Sequence, residues 1–178
     1  LSSREFRETW PSSRTNHYWM DCNRDWLMGQ HPEGQTAVKM YLDWMPNVVG
    51  DLHEQGGDSK GFYFSPGHPH RTHPLTPQQN QQLTSAITNS TAYALDDIGT
   101  LYYSKEGYDD FYVGKGAAYP DMQGSIGILY EQVASRGYIR PTSTGLMPFY
   151  QTVRNQAYAA ISTVYASYLM KDELLDYQ

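Results

Sequence analysis

The chain has 178 residues, a formal net charge of −6 and 16 tyrosines, with a pI near 5.4. That length suits one α/β domain rather than two, and the acidic balance without any basic run argues against a nucleic-acid surface. No apolar stretch approaches the roughly 18 residues of a membrane span, which predicts a soluble chain, and the single cysteine, Cys22, excludes an internal disulfide.

Leu1-Ser2-Ser3-Arg4-Glu5-Phe6 carries neither an initiator Met nor an apolar signal core. The expectation is that a leader was removed or that the chain is a piece of a longer polypeptide, which leaves the compartment open. His31-Pro32-Glu33 opens a helix whose apolar face runs through Ala37, Val38, Tyr41 and Leu42, and Pro46 closes it. Val48-Val49-Gly50-Asp51-Leu52-His53-Glu54 then reads as a buried strand delivering His53 at its end. Gly61 to Leu75 mixes Gly, Pro and His without a period and reads as loop.

Thr76-Pro77-Gln78-Gln79 has the form of a capping box, and the helix it opens continues through Leu83, Ile87, Ala94 and Leu95 to near Gly99. Leu101-Tyr102-Tyr103 is a short strand, and Tyr108 to Met122 an aromatic loop leading into Ser125-Ile126-Gly127-Ile128-Leu129-Tyr130-Glu131, a second buried strand that delivers Glu131. Tyr150, Val153, Ala157, Ala160, Ile161, Val164 and Tyr168 keep helical spacing, so a long amphipathic helix is expected at the C-terminus. Helices alternating with short apolar strands predict a layered α/β sheet, with ligand chemistry at the strand ends.

Several side chains could carry that chemistry. A carboxylate closing an apolar strand is costly to bury unless paired or functional. Glu131 is therefore either a general base with a raised pKa or a strand-end carboxylate that is solvated or paired with Arg136 or Arg140. His53 alone does not make a zinc site, which normally takes three protein ligands, and strand alternation is read as turning Asp51 and Glu54 away from it. Arg24, beside Asn23, offers a fork for a carboxylate, or else a surface stem over Trp26. His68, His70 and His73 lie in a Pro-rich loop and are read as an exposed segment with weak metal affinity. Asn89-Ser90-Thr91 matches a glycosylation pattern but falls within a predicted helix.

Asn23-Arg24-Asp25-Trp26, Asp51-Leu52-His53-Glu54 and Tyr130-Glu131-Gln132, in this order and spacing, resemble the zinc carboxypeptidase family, and its bacterial branch most closely. The resemblance runs from about Thr15 to the C-terminal helix. It implies a layered α/β/α domain with a mixed, mostly parallel sheet. Residues 1–178 would form the C-terminal portion of the catalytic domain, which would therefore be incomplete. His53 looks like the last of three Zn(2+) ligands. Glu131 looks like the carboxylate that activates water and passes the proton to the leaving amine. Asn23 and Arg24 look like the grip on the free C-terminal carboxylate of a peptide substrate, and Asp21 like the carboxylate orienting the first zinc histidine. Tyr112, with Tyr108 next, is the choice for the mobile tyrosine that caps bound substrate.

The chain also departs from the pattern: no His-x-x-Glu, the source of the family's first two zinc ligands, occurs in it. The expectation is a zinc metallocarboxypeptidase as part of a longer protein, with this segment inactive alone and its exposed sheet edge open to self-association. A zinc amidase or deacylase of the same fold, acting on cell-wall peptides or acyl-amino acids, and a non-catalytic peptide-binding relative are the alternatives. Neither nucleic acid nor membrane is expected as a partner.

Overall fold

The computed structural model describes residues 15–58, 61–135 and 137–178. Leu1 to Phe6 and Arg136, a proposed partner of Glu131, lie outside them. Pro32, with its fixed φ, begins α1 (Pro32–Trp44), and Met45 ends it in the left-handed region. Tyr41 is buried on α1, whereas Leu42, expected beside it, is exposed.

β1 (Val48–Gln55) and β4 (Ile126–Val133) are the two long strands. Both run past their expected ends, so His53 and Glu131 each lie two residues inside a strand rather than at its tip. Between them in sequence fall β2 (Phe62–Phe64), α2 (Gln78–Asp97) and β3 (Tyr102–Tyr103). The four strands form one sheet in the order β1-β4-β2-β3. β1 pairs with β4 in parallel, β4 with β2 antiparallel, and β2 with β3 in parallel. The sheet is thus mixed and mostly parallel, in an α/β architecture.

β2 is a correction to the loop expected over Gly61–Leu75. All three of its residues are buried, and it occupies the centre of the sheet. Three aromatic residues between Gly61 and Pro66 are too few to show an alternating pattern. The capping box is a second correction. Pro77 itself occupies the N-cap with no side-chain hydrogen bond, and Thr76 Oγ1 has no hydrogen-bond partner among the described residues.

β5 (Ile139–Thr142) and β6 (Gly145–Pro148) form an unexpected antiparallel hairpin. It leads into α3 (Phe149–Leu169) and then α4 (Lys171–Tyr177). α3 has the expected length but the opposite facing. Its buried side is Thr152, Asn155, Ala159, Ser162, Thr163 and Ala166, while Tyr150, Val153, Ile161, Val164 and Tyr168 are exposed. The buried hydroxyls are satisfied locally: Ser162 and Thr163 donate to the Ala159 carbonyl at 2.9 and 2.7 Å, and Thr91 on α2 meets Ser162 at 3.0 Å. Small side chains bring α2, α3 and the sheet close, and hydrogen bonding removes the penalty for their polarity.

One core lies between this helix pair and the sheet. Phe62, Phe64, Ile126, Ile128 and Tyr130 pack against Leu83, Ile87, Leu95, Ala159 and Ala166. Because successive strand residues face opposite ways, His53, Glu131 and Tyr63 project from the other face. Ala117 packs onto that face over Gly127, where a Cβ would lie 1.7 Å from the Ala117 carbonyl oxygen. No helix among the described residues is long and apolar enough to cross a membrane.

Candidate active site

The pairing register aligns His53 with Glu131 across β1 and β4, Glu131 with Tyr63 across β4 and β2, and Tyr63 with Tyr103 across β2 and β3. These four side chains form one rung perpendicular to the strands. Three of them, with Arg24, Tyr108 and Lys115, line a hollow of about 160 Å³ on the face opposite the helices. A larger groove of about 500 Å³ lies between β1 and the α3–α4 end, but Leu52, Val164 and Leu175 make it mostly apolar. The acid, base and cation groups converge in the smaller hollow.

The Asn-Arg-Asp-Trp run reaches that hollow as a turn whose residue types each have a task. Asp21 Oδ1 accepts the Asn23 N–H at 2.9 Å and begins the turn. Asp25, 7% exposed, accepts the N–H groups of Gln30 and His31 at 3.0 and 2.9 Å, anchoring the turn to the start of α1. Trp26 lies against Tyr119, ring centroids 5.8 Å apart, and the Trp26 backbone N–H donates to the Gly114 carbonyl at 3.2 Å. Between these anchors Arg24 Nη1 donates to the Asn23 carbonyl at 2.7 Å and lies 4.0 Å from Asp21 Oδ2. Its Nη2 and Nε make no hydrogen bond among the described residues, which leaves one edge of the fork for a carboxylate.

His53 is held from its own strand. Asp51, two residues earlier, shares its face and places Oδ1 2.7 Å from His53 Nε2. This corrects the reading that alternation turns Asp51 away: residues i and i+2 of a strand point the same way. Asn23 Nδ2 lies 3.0 Å from Asp51 Oδ2 and 2.8 Å from His53 Nε2, and its Oδ1 accepts the Gly116 N–H at 2.6 Å. The amide expected to grip substrate is thereby engaged within the protein.

Glu131 sits between His53 and Tyr63 in the rung, with its Oε2 buried. Arg140, one of its two suggested partners, instead donates to the carbonyls of Ala134 and Gly57. Burial pushes the Tyr63 and Tyr108 hydroxyls up, and the neighbouring Glu131 carboxylate adds to this at both. Both phenols therefore stay protonated donors at neutral pH. Tyr108 lines the hollow and donates to Gln55 Oε1 at 3.1 Å. Tyr112 instead reaches the Arg24 carbonyl with its hydroxyl at 3.1 Å, its ring lying where Gly114 has no Cβ.

The remaining wall is charged. Lys115 Nζ meets Asp109 Oδ1 at 2.8 Å. Burial would raise Asp109, but the hydrogen bond and charge of Lys115 outweigh it and hold that carboxyl below its usual range. Behind it lie the neighbouring carboxyls of Asp110 and Asp121, and Asp121 Oδ1 accepts from Asn80 Nδ2 at 2.8 Å and the Gly127 N–H at 2.7 Å. Burial first, and its neighbour Asp110 second, push Asp121 well up. Spacing offered no signal for Asp109, Asp110 or Lys115, because a loop brings them in.

No group of three or more His, Cys, Asp or Glu side chains among the described residues could hold a metal ion. His53 supplies one imidazole, which fits one corner of a three-ligand zinc site and not the whole. His68 and His70 lie with ring centroids 5.5 Å apart in their loop and do not line the hollow.

No family profile matches the chain, and no curated protein does. Solved structures do. The metallo-carboxypeptidase of Burkholderia cenocepacia aligns with a TM-score of 0.64 at 14% identity, over 88% of this chain and 40% of its own. That of Pseudomonas aeruginosa, in complex with (2-guanidinoethylmercapto)succinic acid, aligns with a TM-score of 0.62 at 14% identity, over 90% and 42%. A carboxypeptidase A-like structure from Shewanella denitrificans OS-217 gives 0.64 at 15% identity, over 90% and 42%. The fold is that of the metallo-carboxypeptidases, and the chain spans about 40% of the length of the structures it matches.

Proposed function

We propose that this chain contributes the general base and the carboxylate-binding residue to a zinc-dependent carboxypeptidase that removes C-terminal residues from peptides. The observation that carries the reading is the placement of His53 and Glu131 as register partners facing one hollow that Arg24 also lines. The likeness in fold to metallo-carboxypeptidases supports it.

In this reading a peptide enters with its terminal carboxylate on the open edge of the Arg24 guanidinium, with two parallel hydrogen bonds available. That anchor sets the scissile bond one residue from the terminus and so favours exopeptidase cleavage. Glu131 takes a proton from the attacking water and delivers it to the departing nitrogen, within reach of the Tyr63 and Tyr108 hydroxyls. Tyr112, its hydroxyl against the Arg24 backbone, would follow the bound terminus. Zinc, when bound, would polarise the scissile carbonyl. His53 would supply one ligand, and the others would come from outside the described residues. Asp21 would orient another zinc histidine, also from outside them.

The test is digestion of a peptide mixture by the whole protein with zinc, read by mass spectrometry. Stepwise loss of C-terminal residues, abolished by Glu131→Gln, supports the reading, and internal cleavage or no cleavage overturns it. This chain alone, with no His-x-x-Glu, should not turn over. Self-association through β1 is part of the same proposal. Among the described residues the strand lies at the edge of the sheet and Leu52 beside that edge is exposed, so light scattering should show mass rising with concentration.

A further inference from the structure

We infer that Gln55 is a positioning residue: its amide holds the Tyr103 and Tyr108 hydroxyls together and so fixes the Tyr108 phenol in the wall of the hollow beside Glu131. Gln55 is the last residue of β1 and shares a face with Asp51 and His53. Neither Gln55 nor Tyr103 lines the hollow, whereas Tyr108 does. Any effect of Gln55 on a molecule bound there therefore passes through Tyr108.

The partners of the amide fix its orientation. A backbone carbonyl can only accept, so the end of the Gln55 side chain 2.9 Å from the Glu131 carbonyl is Nε2. Oε1 then faces the phenols and accepts from Tyr103 at 2.6 Å and from Tyr108 at 3.1 Å. The two lone pairs of one amide oxygen serve both. Among the described residues β1 and β3 are the outer strands of the sheet, about 14 Å apart at the usual strand spacing. Gln55 and Tyr103 therefore reach toward each other across β4 and β2, the strands that carry Glu131 and Tyr63.

A tight turn brings the second phenol in. Lys105 and Gly107 take φ of 62° and 77°, in the left-handed region, and return the chain so that Tyr108 lies beside Tyr103. Tyr63, 1% exposed, packs against both rings, its centroid 5.3 Å from that of Tyr103 and 4.2 Å from that of Tyr108. Packing holds the rings, and the amide holds their hydroxyl ends. A ring packed along its body and anchored at its tip keeps one pose, as a group facing a ligand requires. The consequence for substrate rests on the function proposed above, whereas the hold on Tyr108 does not.

The experiment reads the hydroxyls directly, in this chain labelled with ¹³C at tyrosine Cζ, the carbon that bears the oxygen. Tyr103→Phe and Tyr108→Phe assign the two signals among the 16 tyrosines. Gln55→Leu should shift both signals and speed hydroxyl proton exchange at both about 2- to 10-fold, the loss of one neutral hydrogen bond each. The remaining tyrosines report whether the variant keeps its fold, and Gln55→Met serves if Gln55→Leu does not. In the whole protein, assayed on a short peptide, Gln55→Leu and Tyr108→Phe should each raise KM about 2- to 10-fold with kcat little changed. The double variant should be no worse than either single one, because both act through the same phenol. Unchanged Tyr108 signals in a folded Gln55 variant overturn the inference. So does a double variant whose KM rises by the product of the single effects, or a Gln55 variant that loses thermal stability with KM unaltered. Absence of cleavage by the wild type would count against the proposed function alone, and the hydroxyl signals would still decide whether Gln55 positions Tyr108.

Discussion

His53 and Glu131 are register partners in the parallel pairing of β1 and β4. Their distance in space is therefore set by the hydrogen-bond ladder and not by a loop, which suits the shared task proposed for them.

Replacing Glu131 by Gln keeps the shape and removes the proposed proton acceptor. In the whole protein kcat should fall by about 10²- to 10⁴-fold, the usual contribution of a positioned general base, with KM little changed. Steady-state kinetics on a short peptide would decide it; a fall in kcat/KM arising from KM alone would assign Glu131 to binding.

Arg24→Ala removes the proposed anchor for the terminal carboxylate. A hydrogen bond to a charged group contributes about 1.5–3 kcal/mol, so KM should rise about 10- to 100-fold. The variant should also lose its preference for a free C-terminus over a C-terminal amide. An undiminished preference would place the grip elsewhere.

The Asp110–Asp121 pair makes stability depend on pH in a definite direction. The folded pKa of Asp121 lies well above its ordinary value, mainly through burial, so the folded chain holds a proton that the unfolded chain releases. Its contribution is fully present below the ordinary carboxylate range of about 4 and is lost as pH rises through the raised value. Calorimetry should show the melting temperature falling, as pH rises above the ordinary carboxylate range, more steeply in wild type than in Asp121→Asn. Equal slopes would mean the pair does not hold that proton.

The facing of α3 can be tested by opposite substitutions. Ile161→Ala, on the exposed stripe, should change stability by no more than about 0.5 kcal/mol. Ala159→Leu, at a position with no exposure, should cost about 1–3 kcal/mol by overpacking. Urea denaturation of both variants would show which side of the helix meets the sheet.

Much of this was legible in the chain. Val48–Gln55 and Ile126–Val133 are apolar enough to declare themselves, and the starts of α1 and α2 are marked by Pro32 within the first and Pro77 just before the second. The motifs around Arg24, His53 and Glu131 led to groups that do share a hollow. Three things were hidden. β2 is too short to show a period, although its aromatics fill the centre of the core. On α3 the apolar stripe is the outer one, because the buried face uses hydroxyls and an amide that hydrogen-bond to helix carbonyls and neighbours, and hydrophobicity does not register that. Asp109, Asp110 and Lys115 arrive through a loop, whose path depends on Asp121 and Gly127 rather than on any local spacing.

Gly127 has a wider consequence. The Ala117 carbonyl occupies the space where any other residue would carry a side chain, so the strand that bears Glu131 also acts as the seat for the loop bearing Lys115 and Gly116. Even a methyl group at that seat would lift the loop like a shim under a lid. Gly127→Ala should then spoil a centre it never touches, while the helix-covered side of the sheet stays as it was.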